Sequence, residues 1–104
     1  MKPAEFRNEL LSNSSVQEKQ HHGHPDFRVG GRVVASLEPA PKSGAMLKLT
    51  IEQQAAACSL HPQAFQPITG AWGKRGYTRV NLSAIEVVEL QPWIELAIGN
   101  EATQ

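Results

Sequence analysis

A single cysteine, Cys58, means that the chain closes no disulfide within itself and builds no cysteine-rich zinc site. No apolar run approaches the roughly 20 residues that a membrane helix needs. The first fifteen residues, MKPAEFRNELLSNSS, place acids where a secretory leader has its apolar segment. Net charge is missing too. Ten Lys plus Arg offset ten Asp plus Glu, so the sum of charge selects neither nucleic acid nor membrane. The GxGxxG, Walker A, GxSxG and HExxH patterns are also absent, which removes the standard phosphate, hydrolase and metalloprotease signatures. These absences leave a cytoplasmic monomer or small homo-oligomer, with no cofactor, no catalytic residue and no identified small-molecule substrate.

What is present suffices for one ordinary domain spanning 1–104, since 104 residues leave no room for a second. Pro3 suits a first helical turn, Phe6 and Leu10 lie four apart on one face, and Asn13-Ser14-Ser15 ends that helix. Residues 15–25 carry no periodicity and read as an irregular connection, so 1–20 is helix and linker. Asp26–Val29 and Arg32–Leu37, parted by Gly30-Gly31, form a hairpin, because two-residue primed turns need positive φ. Its register sets Val29 opposite Arg32 and Arg28 opposite Val33, which sends the two arginines to opposite faces. Residues 38–44 read as a loop by their prolines and glycine.

Residues 45–50 alternate as a third strand, and Thr50 with Gln53 forms a capping box for a helix over Ile51–Leu60. Phe65–Thr69 reads as a weak strand that Pro67 pushes to an edge. Residues 70–76 read as a turn-rich loop and Tyr77–Leu82 as another strand. Ser83 with Glu86 forms a second capping box, opening a helix that buries Ile85, Val88, Trp93, Leu96 and Ala97. Pro92 should make it kink or restart, Gly99-Asn100 should end it, and 101–104 should fray. The expected fold is α+β: a two-layer domain, one antiparallel sheet of about five strands covered by helices, in the order α-β-β-β-α-β-β-α.

Charge is segregated along the chain. Residues 21–82 hold seven basic side chains against three acidic ones, a net +4, whereas 83–104 hold four glutamates and no base. Either the two segments neutralise one another, or the molecule is a dipole with one face for an anionic polymer. Within 70–76, three glycines permit close backbone approach, Lys74 and Arg75 supply cations, and Trp72 offers a stacking face or folds back on the core. Lys48 and Arg79, on the polar sides of their strands, extend that basic set. His21, His22 and His24 beside Asp26 invite a metal, but adjacent histidines on extended chain point apart, so no metal is expected. Cys58, among alanines with no neighbouring cation, reads as a small buried hydrophobe.

Three stretches taken together, HHGHPDFRVGGRVVASL (21–37), LKLTIEQQAA (47–56) with its following His61-Pro62, and AWGKRGYTRVNL (71–82), resemble the MmcQ/YjbR family of small bacterial proteins. The resemblance covers about three quarters of the chain; Ile51, where that family often has proline, and SSVQEKQ depart from it. It implies a CyaY-like, secretion-chaperone-like fold and DNA binding through a double wing of hairpins, here 26–37 and 70–82. The residues so implicated are Arg28, Arg32, Lys74, Arg75 and Arg79, to which the basic reading adds Lys48 and Trp72. The expected function is therefore a non-enzymatic binding domain making weak, sequence-blind contact with DNA through basic hairpin loops. The alternative is a protein-interaction or chaperone-like module acting as a homodimer. DNA, another protein or a second copy of the chain are thus the expected partners, and a membrane is not.

Overall fold

The computed structural model describes residues 1–21, 23–38 and 44–102, and of His21 the backbone alone. Gly30 and Gly31 adopt φ of 58° and 82°, and across their turn Val29 lies opposite Arg32 and Arg28 opposite Val33. This is the register the sequence demands, and it fixes the hairpin. The elements are α1 (Pro3–Leu11), β1 (Gln17–His21), β2 (His24–Val29), β3 (Arg32–Leu37), β4 (Gly44–Lys48), α2 (Ile51–Leu60), β5 (Phe65–Pro67), α3 (Ala71–Lys74), β6 (Tyr77–Asn81), a 3-10 turn at Leu82–Ala84 and α4 (Val87–Ala102). The strands form one antiparallel sheet in the order β1-β2-β3-β4-β6-β5. The α+β architecture is as expected, with one strand more.

That extra strand is β1, which replaces most of the irregular connection read over 15–25. It pairs with β2 from Gln17 opposite Arg28 to His21 opposite His24. The segment QEKQH shows no alternation because an edge strand with neither face deeply buried needs none. Its Glu18 and Lys19 also discourage pairing with another chain. At the opposite edge lies β5, where Pro67 costs no ladder hydrogen bond to a further strand.

Pairing between β2 and β3 slips by one residue. Phe27 faces Ala35 but Arg28 faces Val33, so Val34 is extra, and Val34 and Ala35 are both fully buried. The helices cover this side. Phe6 and Leu10 of α1, Ala57 of α2 and Leu90, Ile94, Ala97 and Ile98 of α4 meet Phe27, Leu47, Phe65 and Val80 of the sheet. Phe6 and Phe27 join edge to face, with ring centres 6.3 Å apart. On the other side of the sheet, one row runs Asp26, Ser36, Met46, Arg79 and Gln66 across five strands, all at least partly exposed.

Helix α2 starts as read: Gln53 N–H donates to Thr50 Oγ1 at 3.1 Å, and Thr50 N–H to Gln53 Oε1 at 3.0 Å. The last helix departs from the reading at both ends. Ser83 N–H and Oγ–H go to Asn81 Oδ1 in the 3-10 turn, so Ser83 caps nothing. Glu89 instead accepts the Glu86 N–H at 3.0 Å, and the helix opens at Val87. The buried stripe runs through Leu90, Ile94, Ala97 and Ile98, at the four- and three-residue spacing of one helix face. Ile85 and Ala97 are buried as expected, Trp93 is partly covered, and Val88 and Leu96 are exposed.

Pro92 lies inside α4, which continues past it; the carbonyl that its missing N–H leaves free belongs to Val88, on the wet side. Nor do Gly99 and Asn100 end the helix, because the Asn100 and Gln53 amides hydrogen-bond reciprocally at 2.8 and 3.3 Å and carry it on to Ala102. The expected fraying of 101 and 102 is therefore not seen, and 103–104 lie outside the described residues.

Candidate nucleic-acid interface

The loop read at 70–76 is shaped by what lies beneath it. Residues Ala71–Lys74 make the short helical turn α3, so the second expected wing joins β5 to β6 through a turn of helix. Gln54 of α2, only 7% exposed, pins it. Its amide nitrogen donates to the carbonyls of Gly73 and Tyr77 and to Thr78 Oγ1, at 3.0–3.1 Å. Thr78 Oγ1 donates onward to the Gly76 carbonyl at 2.9 Å. At Gly76, φ is +97°, and a Cβ there would lie 1.8 Å from the Leu49 carbonyl oxygen. Only glycine allows that approach. Pressed inward by these contacts, the segment turns Trp72, Lys74 and Arg75 outward, all three exposed.

Beside it lies a run of alternating charges and rings. Arg32 Nε stands 3.8 Å from Glu101 Oε2, and Lys48 Nζ 3.4 Å from Glu101 Oε1. Lys48 Nζ also sits 5.6 Å from the centre of the Tyr77 ring. Tyr77 meets Trp72 edge to face at 5.0 Å, and the Arg75 guanidinium lies 5.6 Å from the Trp72 ring centre. Trp72 is 56% exposed, so it supports the surface layer rather than closing the core. Lys48, Thr50, Arg75 and Glu101 border a cavity of about 340 Å³ between the start of α2 and the end of α4.

Of the six cations read as candidates, Arg32, Lys48, Lys74 and Arg75 gather at this end of the sheet with Trp72. Arg28 and Arg79 do not join them. Arg28 is held by Asp26 through two hydrogen bonds of 3.1 Å, and the hydrogen bond and charge of Asp26 raise its already high pKa further. Arg79 stands 4.0 Å from Glu38 in the row across the uncovered face. Near that face His24, Ser36, Met46, Gln66 and Arg79 border a second cavity of about 400 Å³.

Sequence reasoning missed Glu101, Gln54 and Tyr77. Glu101 had a signal: it lies one turn beyond Ala97 on the buried stripe, and its side chain is 7% exposed. The acidic tail segment and basic middle do neutralise one another here, but only in part, with one carboxylate against four cations.

His24 is exposed, while His22 and the side chain of His21 lie outside the described residues. Among the described residues no three His, Cys, Asp or Glu side chains are grouped to hold a metal ion. His61 packs against Phe65 and Trp93 and stands 4.0 Å from Glu89. Cys58 packs partly buried against the core, and burial raises its thiol pKa. No helix among the described residues is long and apolar enough to cross a membrane. Comparison with family models, with curated proteins and with solved structures finds no match for this chain.

Proposed function

We propose that the chain is a non-enzymatic binding domain that touches nucleic-acid phosphates through the end of the sheet where Arg32, Lys48, Lys74 and Arg75 converge. The observation carrying this reading is the Arg75–Trp72–Tyr77–Lys48 run, in which exposed Arg75 and half-buried Lys48 lie over aromatic rings that meet edge to face. Cations so held lose less freedom on meeting a phosphate, and half-exposed Trp72 offers an unstacked base a surface. About four phosphate contacts give weak binding, with Kd on the order of 10⁻⁵ M, and little preference for sequence. The resemblance to the MmcQ/YjbR family points the same way. Of its two proposed wings, Arg32 of the β2–β3 hairpin and Lys74 and Arg75 of the second belong to this surface.

Fluorescence anisotropy tests the reading directly. At low salt the chain should bind two labelled duplexes of unrelated sequence equally. Lys74→Glu with Arg75→Glu should reduce binding more than tenfold. Absence of binding by the unaltered chain, or equal binding by the variant, rejects it.

A second reading, self-association as a homodimeric interaction module, is favoured by the exposure of Leu60 (68%), Val88 (74%) and Leu96 (40%) on one helical layer.

A further inference from the structure

Helices α2 and α4 lie side by side and run in opposite directions. Gln53, near the start of α2, hydrogen-bonds Asn100 near the end of α4, and His61 just past α2 meets Glu89 and Trp93 near the start of α4. These two sets of contacts are about 12 Å apart along α2. The large exposed apolar side chains divide between the ends of this layer. Ile51 and Trp72 belong to the end that carries Lys74 and Arg75, and Ile51 and Lys74 border one shallow groove. Leu60 and Val88 flank the His61–Glu89 pair at the other end. Leu96 lies midway along α4 beside exposed Glu95, while exposed Glu86, just before the helix, and Glu89, in its first turn, belong to the end that carries Leu60 and Val88.

Opposing charges at each end are few. At the basic end they are Glu52 and the buried Glu101; at the acidic end they are Lys2 and the Met1 ammonium, which donates to the Leu82 and Ile85 carbonyls. Each end thus pairs two exposed apolar side chains with an excess of one charge, Arg32, Lys48, Lys74 and Arg75 outnumbering Glu52 and Glu101 at one and the Glu86 and Glu89 side chains outnumbering that of Lys2 at the other, where the Met1 ammonium is taken up by carbonyls.

From this complementarity we infer that the α2–α4 layer is the interface for a second copy of this chain, docked antiparallel. The basic end of one copy covers the acidic end of its partner, twice over, and Leu96 lies near the two-fold axis. Such a contact is self-complementary and closes at two subunits. Polar and apolar contributions act together, so the association should strengthen with concentration and weaken as salt rises. The inference deepens the self-association reading and competes with the nucleic-acid one, because Lys74, Arg75 and Trp72 are covered in the dimer and open to phosphate only in the monomer.

Sedimentation velocity without nucleic acid tests it with two charge-reversed variants. One carries Lys74→Glu and Arg75→Glu, so both its ends are acidic; the other carries Glu86→Lys and Glu89→Lys, so both are basic. The unaltered chain should form dimers at low salt and dissociate at high salt. Each variant alone should associate at least tenfold more weakly, and an equimolar mixture of the two should recover the dimer. Val88→Lys, at an exposed helix position, should weaken the dimer without disturbing the fold. A chain that stays monomeric at every concentration at low salt overturns self-association itself. Association that grows past the dimer, survives either reversal, or fails to return in the mixture overturns this interface while self-association stands.

Discussion

Glu101 Oε1 lies 3.4 Å from Lys48 Nζ, joining the last turn of α4 to the end of β4 across 53 residues of chain. The carboxylate is nearly enclosed, yet its Oε2 accepts no hydrogen bond from the described residues and stands 3.8 Å from Arg32 Nε. Arg32 is free to turn to water, its side chain being 64% exposed, whereas half-buried Lys48 lies between Glu101 and the Tyr77 ring. Glu101 is therefore an internal counter-ion for the surface that we assign to phosphate, and a ligand must compete with it.

Glu101→Gln keeps the volume and removes the charge. Because Arg32 can turn to water and Lys48 keeps its place over the Tyr77 ring, stability should change by less than about 1 kcal/mol. Affinity for an oligonucleotide should rise about fivefold, the equivalent of roughly 1 kcal/mol. Denaturant titration and anisotropy on the same preparation check both expectations.

Gly76→Ala attacks the base of the same surface. The new methyl would meet the Leu49 carbonyl at a φ that L residues rarely adopt. Loss of about 3 kcal/mol is expected, read as a lower urea midpoint with an unchanged slope.

Gln54→Ala leaves the Gly73 and Tyr77 carbonyls and the Thr78 hydroxyl without the amide that now serves all three. A destabilisation of about 2 kcal/mol should follow, with faster hydrogen exchange through residues 70–77 than elsewhere. Uniform exchange across the chain would show that Gln54 does not pin this segment.

Burial holds the Cys58 thiol protonated further into the alkaline range than an ordinary thiol. Alkylation by iodoacetamide at neutral pH should be slower than for a small reference thiol. As pH rises past the ordinary thiol pKa, the unfolded chain loses this proton before the folded one does. Stability from this group is therefore full below that pKa and declines above it.

Much of this architecture is written locally. Gly30-Gly31 and the Thr50–Gln53 capping box specify their turn and helix start through contacts within a few residues, and both form as read. Strand β1 could not be read, because QEKQH gains its order from pairing with β2 and buries no stripe of its own. The start of α4 was misplaced because Ser83 and Glu86 have capping-box spacing, while Asn81 takes Ser83 and leaves Glu89 to cap the helix. Four of the candidate cations do converge, but the partner that organises two of them is Glu101, a long-range contact that spacing does not show. Arg28 carried its own neutralising partner two residues away, in Asp26.

Salt-resolved oligonucleotide binding by two charge-matched variants tests the central claim most directly. Lys74→Gln with Arg75→Gln and Arg28→Gln with Arg79→Gln remove the same formal charge, from the end of the sheet and from its uncovered face. The account predicts that the unaltered chain shows a slope of about −3 to −4 in log K against log salt. The first variant should lose at least tenfold in affinity and flatten that slope by nearly two, while the second stays within about twofold. Equal losses in both variants, or a larger loss in the second, would contradict it.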